Sequence, residues 1–352
     1  MFSGQIFIYP ALRSLMKTEE LIQLVCGMKV DIHSHLLPSE YMKALSSRKA
    51  APRIRVSRDG RMQMECGGGL AFPITERMTS TIVKIDEMRK AEVDRQVLSL
   101  PMPGVDWFNR DLAAKLASTS NDELAEVSRG GSQHFSAAAT VPLRYPELAV
   151  RELNRAVDEL GMHMVEIFSN VAGQPLDLEK YFTFYEEAAR LGVTLLIHPG
   201  RPVMMESVRD YGLSGAVGFL FDTTIAILRL VYSGLLEKLP DLRIVLPHIG
   251  STIPYLAGRI DHQYKLSTGG QGALPKPPSE YLRTVYIDTA QSLYKPAMQC
   301  ALSFTPIDKI LFGSDDPFVD LKQSVASVEA LGLPRDQEDM IFAGNAKSLG
   351  II

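Results

Sequence analysis

The chain has 352 residues, 46% hydrophobic and 22% charged, with a net charge of −4. No basic block or Lys/Arg stripe marks a surface for nucleic acid or anionic lipid, and the apolar stretches read as broken before the ~20 residues a membrane span needs. Three dispersed cysteines, Cys26, Cys66 and Cys300, form no Cys-x-x-Cys pair, which argues against a disulfide framework or a thiolate zinc site and favours a reducing cytoplasm.

Residues 1–27 lack the ordered charged, apolar and small-residue regions of a secretory signal. They are expected to be an N-terminal extension to a domain spanning 28–352. The first strand is expected in "KVDIHSH" (29–35), followed by an insertion over 39–79 rich in Arg, Gly and Met, a long loop or small cap. A helix over 80–91 carries Ile82, Ile85 and Met88 at three-residue steps. Strands follow at 95–101, 135–143 and 163–170, with a helix at 146–161 closed by Gly161. A helix over 178–192 ends on Gly192, and the fifth strand is "VTLLIHP" (193–199). A long apolar helix over 216–239 leads to "LRIVLPHIG" (242–250), and a helix over 251–266 to "VYIDTA" (285–290). The last strand is "KILFGSD" (309–315), followed by a helix at 320–331. The strands are continuous apolar runs, as in parallel strands buried on both faces. Eight of them alternating with helices predict a (β/α)8 barrel with one insertion. The rival, a doubly wound open sheet, lacks a Gly-x-Gly-x-x-Gly after the first strand.

His33 and His35 end strand one, His198 strand five, His248 strand six and Asp315 strand eight. In a barrel all five lie on the C-terminal rim, where active sites sit. Residues i and i+2 of a strand share a face, so His33 and His35 can present two nitrogens to one ion. Three histidines and an aspartate suit a catalytic divalent centre with a position left open, and a further imidazole nearby can move protons near neutral pH. A lone His-x-His pair is weak; the recurrence at strand ends is what points to a metal. Asp316 alternates to the other side and ranks second to Asp315, and Glu166 is a weaker ligand candidate facing the barrel interior. His134, His163 and His262 read as structural or surface residues, and the Met62/Met64 and Met204/Met205 pairs as packing.

The stretches "DIHSH", "LLIHPG", "LPHIGSTIPYLAGRIDH" and "ILFGSDDPF" resemble the amidohydrolase superfamily. They are most similar to the branch with 2-amino-3-carboxymuconate-6-semialdehyde decarboxylase and γ-resorcylate-type aromatic-acid decarboxylases. The resemblance implies His33, His35, His198 and Asp315 as metal ligands and His248 as the catalytic histidine, with Asp315 and His248 as rival proton donors. It implies Arg259 as an arginine reaching a neighbouring subunit's substrate, with Arg77 the nearest candidate for a second substrate arginine. Gly200 after Pro199, "PHIGST" and "SDDP" depart from the semialdehyde enzyme beside the pocket and point to another substrate. The expected function is thus a metal-dependent, non-oxidative decarboxylase of an aromatic or carboxymuconate-like acid. The ion is expected to be Zn²⁺, with Mn²⁺ as the alternative, and the assembly a homodimer without nucleic-acid or membrane partners. A metal-dependent hydrolase or hydratase would use the same five residues, and a non-enzymatic binding barrel is the third reading.

Overall fold

A computed structural model of the chain describes residues 27–131, 133–269, 274–291 and 293–352. The expected extension, apart from Gly27, lies outside the described residues, as does Cys26. The strands are β1 (Val30–His35), β2 (Arg53–Val56), β3 (Met62–Gly67), β4 (Leu70–Pro73), β5 (Arg95–Ser99), β6 (Phe135–Thr140), β7 (Met164–Phe168), β8 (Thr194–His198), β9 (Arg243–Leu246), β10 (Tyr286–Asp288) and β11 (Ile310–Leu311). Eight of them form one parallel sheet in the order β1-β5-β6-β7-β8-β9-β10-β11. The amide of Ile32 donates to the Phe312 carbonyl at 2.9 Å and that of His35 to the Asp316 carbonyl at 2.8 Å, drawing the two edges together into a nearly closed barrel. All eight expected strands are present, each shorter than its sequence window because ladder hydrogen bonding stops where the chain turns into the rim.

Alternation along these strands builds two layers. Leu98, Val165, Ile167, Leu195, Ile197 and Ile244 pack with helical residues in the main core. The alternate positions Val97, Ala138, Met164, Leu196 and Val245 belong to a separate cluster that fills the barrel. Two residues further along the same faces, the interior turns polar: Ser99, Thr140, Glu166 and His198 are all buried there. In β1 a register shift between Asp31 and Ser34 lets Val30 and Ile32 join the interior cluster while His33 and His35 still point together at the rim.

The helices used below are α1 (Ser39–Ser46), α2 (Thr81–Lys90), α3 (Arg110–Gly130), α4 (Pro146–Asp158), α5 (Phe182–Leu191), α6 (Phe219–Tyr232), α7 (Ile253–Thr268), α8 (Lys295–Phe304) and α9 (Leu321–Glu329). Ser80, Asn109 and Asp320 cap α2, α3 and α9 through their side-chain oxygens, and Gly192 closes α5 in the left-handed conformation. α4 ends at Asp158, before the expected Gly161. The expectation placed no helix over α3 or α8. The middle of α3, Ser118-Thr119-Ser120-Asn121, is poor helix sequence. It is held from outside: the Asn121 side chain accepts the Thr140 amide at 2.8 Å and donates to the Thr140 carbonyl at 2.9 Å and to Glu152 at 2.6 Å.

Contrary to the expectation from broken apolar runs, Ser214–Tyr232 is long and apolar enough, by length and composition, to cross a membrane. Its inner face is barrel core, with Ala226, Ile227, Leu230 and Val231 buried. Its outer face leaves Phe221, Ile225 and Tyr232 exposed. The insertion over 39–79 is a small cap rather than a loop: α1 followed by the antiparallel sheet β2-β3-β4. Tyr41, Leu45, Ile54, Met64, Leu70 and Phe72 give it a core of its own, continuous with the loop after β5.

Candidate active site

Three imidazoles and one carboxylate converge at the C-terminal rim. His33 and His35 extend from β1 with ring centroids 5.1 Å apart, and the His198 ring, from the end of β8, lies 5.0 and 4.9 Å from them. Asp315 lies four residues beyond β11, at φ 65°, so it is a loop residue rather than a strand end. Its Oδ1 stands 3.4, 3.2 and 3.8 Å from the Nε2 atoms of His33, His35 and His198. Those separations bracket the ~3.3 Å edge of a tetrahedron whose arms are the ~2.0–2.1 Å typical of Zn–N and Zn–O bonds.

Each ring is turned by a bond on its other nitrogen. His33 Nδ1 lies 2.7 Å from Asp288 Oδ2, His35 Nδ1 3.0 Å from Ser99 Oγ, and His198 Nδ1 donates to the Pro199 carbonyl at 2.9 Å. With the protons drawn to Nδ1, Nε2 is left bare for an ion. His33 Nε2 and His198 Nε2 are buried without a hydrogen-bond partner, which is the mark of a donor set built for a cation.

The electrostatics agree. Burial alone would lower the His33 imidazole, but Asp288, Asp315 and Glu166 outweigh it and raise it to about 9. His35 is lowered, chiefly by burial. Burial would raise the Asp315 carboxyl, yet the imidazoles of His198, His248, His33 and His35 around it hold it well below the ordinary carboxylate range. Acidic groups thus gather on buried imidazoles with too little positive charge among them, a deficit that a divalent cation fills.

His248 was expected to end strand six. β9 stops at Leu246, and Pro247 turns the chain so that His248 sits two residues beyond at φ 56°. Its amide donates to Asp288 Oδ1 at 2.8 Å, and its Nε2 lies 3.4 Å from Asp315 Oδ2. Gln291, at φ 58°, donates to the same Asp315 oxygen at 2.8 Å. Three non-glycine residues around one site therefore hold the left-handed conformation, which costs about 1–2 kcal/mol each and is stored at functional positions. Asp288 and Gln291 escaped the sequence reading. The only signal for Asp288 was a lone acidic residue inside "VYIDTA", and Gln291 carried none.

The other candidates are placed apart. Asp316 does face away, against Lys84 and 3.4 Å from Ser34 Oγ. Glu166 faces the interior 3.9 Å from His35 Nδ1 and is not among the converging ligand atoms. Arg77 is not brought to the cavity: its Nη2 donates to the Pro317 carbonyl at 2.6 Å and that of Val319 at 3.3 Å, pinning the loop after Asp315 and leaving the guanidinium committed. Arg259 is exposed on α7, away from the cavity of its own chain. A cavity of about 400 Å³ opens above the cluster, lined by His198, His248, Gln291 and Asp315 from the barrel and by Leu70, Ala71 and Phe72 from the cap.

The family model described as Amidohydrolase matches residues 30–349. The chain belongs to the amidohydrolase family. This amidohydrolase is 28% identical over 296 residues to 2-amino-3-carboxymuconate-6-semialdehyde decarboxylase of Dictyostelium discoideum, covering 83% of this chain and 82% of that one. It is 31% identical to γ-resorcylate decarboxylase of Polaromonas sp., over 73% of this chain and 83% of that one. It shares its fold with a solved dihydroxybenzoic acid decarboxylase from Polaromonas sp. JS666 that holds manganese and the inhibitor 2-nitroresorcinol. The TM-score is 0.77 at 24% identity, over 92% of this chain and 96% of that one.

Proposed function

We propose that this amidohydrolase is a metal-dependent, non-oxidative carboxy-lyase acting on an aromatic or carboxymuconate-like acid. The observation that carries the reading is the convergence of His33, His35 and His198 Nε2 with Asp315 Oδ1 beside a cavity that also holds His248. Those four residues would hold one divalent ion; mixed imidazole and carboxylate donors suit Zn²⁺ first, and Mn²⁺ is supported by the manganese in the Polaromonas structure. When bound, the ion supplies a Lewis acid that orients and neutralises the acidic group of the substrate.

The reaction breaks the bond between a ring carbon and its carboxylate, releases CO₂ and places a proton on that carbon. The chain offers a proton-handling pair for this: His248 Nε2 beside Asp315 Oδ2, the latter oriented by Gln291. The decarboxylase reading takes precedence over a hydrolase or hydratase because the relatives that match this chain over most of their length bear decarboxylase names.

The reading includes a homodimer. It is supported by exposed apolar residues, Phe221, Ile225 and Tyr232 on α6 and Tyr255 on α7, and Arg259 is exposed one turn beyond Tyr255. A cytoplasmic setting is supported by the free thiols of Cys66 and Cys300.

The test is to load the protein with Zn²⁺ or Mn²⁺ and follow CO₂ from a panel of hydroxybenzoates and carboxymuconate-like acids. CO₂ with one solvent proton gained on the product is expected; addition of water to the substrate would establish the hydrolase instead. Asp315→Asn is expected to lower kcat by at least about 10³-fold, since it disturbs a ligand and the proton pair together.

A further inference from the structure

The cavity is sharply two-sided. Its ionisable side chains, His198, His248 and Asp315, gather with Gln291 at the metal-ligand end, and Ser214 adds a neutral hydroxyl to the lining. The facing wall consists of Leu70 and Phe72 from the cap together with Met102, Phe219 and Phe318. Phe72 meets Phe318 edge-on at 5.2 Å, and Phe318 meets His35 edge-on at 5.8 Å, so the aromatic wall runs from the cap to the ligand cluster. Among the described residues, no Lys or Arg lines this cavity. Arg77 is committed to the Pro317 and Val319 carbonyls, and Arg259 is exposed on α7 and does not line this cavity.

Resting on the decarboxylase reading, we infer that Phe72 and Phe318 are specificity-determining residues that select a ring whose edge facing the cap is bare or alkyl-substituted, and reject a second carboxylate there. A methyl group against this wall exchanges water for apolar contact. A carboxylate in its place would lose hydration with no cation, and only the neutral Ser214 hydroxyl on the lining, to replace it. The cap therefore divides acids between those with one anionic end, which enter carboxylate first, and those with anionic groups at both ends. Selectivity resides in a strand that contributes no metal ligand.

The experiment uses the metal-loaded enzyme and matched pairs: each methyl-substituted 2-hydroxybenzoate against the acid with a second carboxylate at the same ring position. Kd values are also measured calorimetrically for the corresponding nitroarenes, in which a nitro group replaces the carboxylate to be lost and no CO₂ can leave. For the best methyl isomer, kcat/KM is expected to exceed that of its carboxylate counterpart by about tenfold or more, with the same order in the nitroarene Kd values. Phe72→Arg, and independently Phe318→Arg, are expected to shrink or invert that ratio, while Phe72→Leu retains it. Phe318 is 39% exposed, so its variant tests the wall even if an arginine at position 72 prevents folding. Equal or better turnover and binding of the carboxylate partners by the wild type, or an unchanged ratio in a folded arginine variant, would overturn the inference. If no acid releases CO₂ but the nitroarenes keep the methyl preference, the wall assignment stands and the decarboxylase reading falls.

Discussion

Asp106 shows how a single buried carboxyl shapes the stability of this barrel. It lies in the loop after β5 and accepts the Arg144 amide at 2.8 Å. Burial raises its carboxyl from 3.8 to about 7, only partly opposed by that amide and the Arg144 charge. Between those pH values the folded chain keeps a proton that the unfolded chain has released. The contribution of Asp106 to stability is therefore fullest below about pH 4, falls as pH rises towards 7, and stays lower above it. Asp106→Asn keeps the acceptor for Arg144 and removes the titration. Urea melts at pH 5 and pH 8 are expected to show a flatter pH dependence and a gain at pH 8 of up to about 4 kcal/mol; an unchanged slope would refute the assignment. At this scale the convergence of His33, His35, His198 and Asp315 was legible in the sequence because an ion's demands are tied to residue type. Asp288 and Gln291 were not, because a hydrogen bond to a ligand demands only some acceptor or donor in reach, which leaves no motif. Arg77 misled because its charge was visible and its partners, two backbone carbonyls, were not.

Elements succeed or fail in the sequence according to where their stability comes from. The eight strands declared themselves because both faces are buried, which forces continuous apolar runs. α3 did not, because its polar centre is stabilised by Asn121 reaching Thr140 and Glu152 on neighbouring elements. The sheet of the cap was hidden in short strands with mixed faces. α2 illustrates how an outer helix reaches the site. Its Lys84 is fully buried, donates to Ser34 Oγ at 2.8 Å and pairs with Asp316, whose neighbour Asp315 completes the ligand set. Lys84→Met would leave the Asp316 carboxylate buried with only Arg77, 3.5 Å away, for charge. A loss of about 3 kcal/mol in urea melts is expected, with weaker metal binding by titration calorimetry. Adding Asp316→Asn is expected to recover part of both, since the uncompensated charge is then gone.

For the whole molecule, the proposed ion and the proposed dimer each predict a change in stability or size that can be measured. An ion that binds only the folded barrel stabilises it by about 2.7 kcal/mol at a hundred times its Kd. Chelation is therefore expected to lower Tm by roughly 4 °C, with recovery on adding Zn²⁺ or Mn²⁺; a Tm indifferent to chelator would remove the ion from the rim. Light scattering is expected to show a dimer at micromolar concentration, and Ile225→Glu, on the exposed face of α6, to yield monomers with a raised KM. That face was foreshadowed in the sequence by a helix too apolar for solvent, although composition alone does not distinguish a subunit contact from a lipid one. The cap has one further consequence. Its buried side chains pack with one another and with the loop after β5, so the exposed positions within residues 53–73 can drift while the ion's seat is preserved. Lineages with this architecture can exchange diets by rewriting a hairpin, and a mutational library confined to those positions should yield new substrate ranges far more often than dead protein.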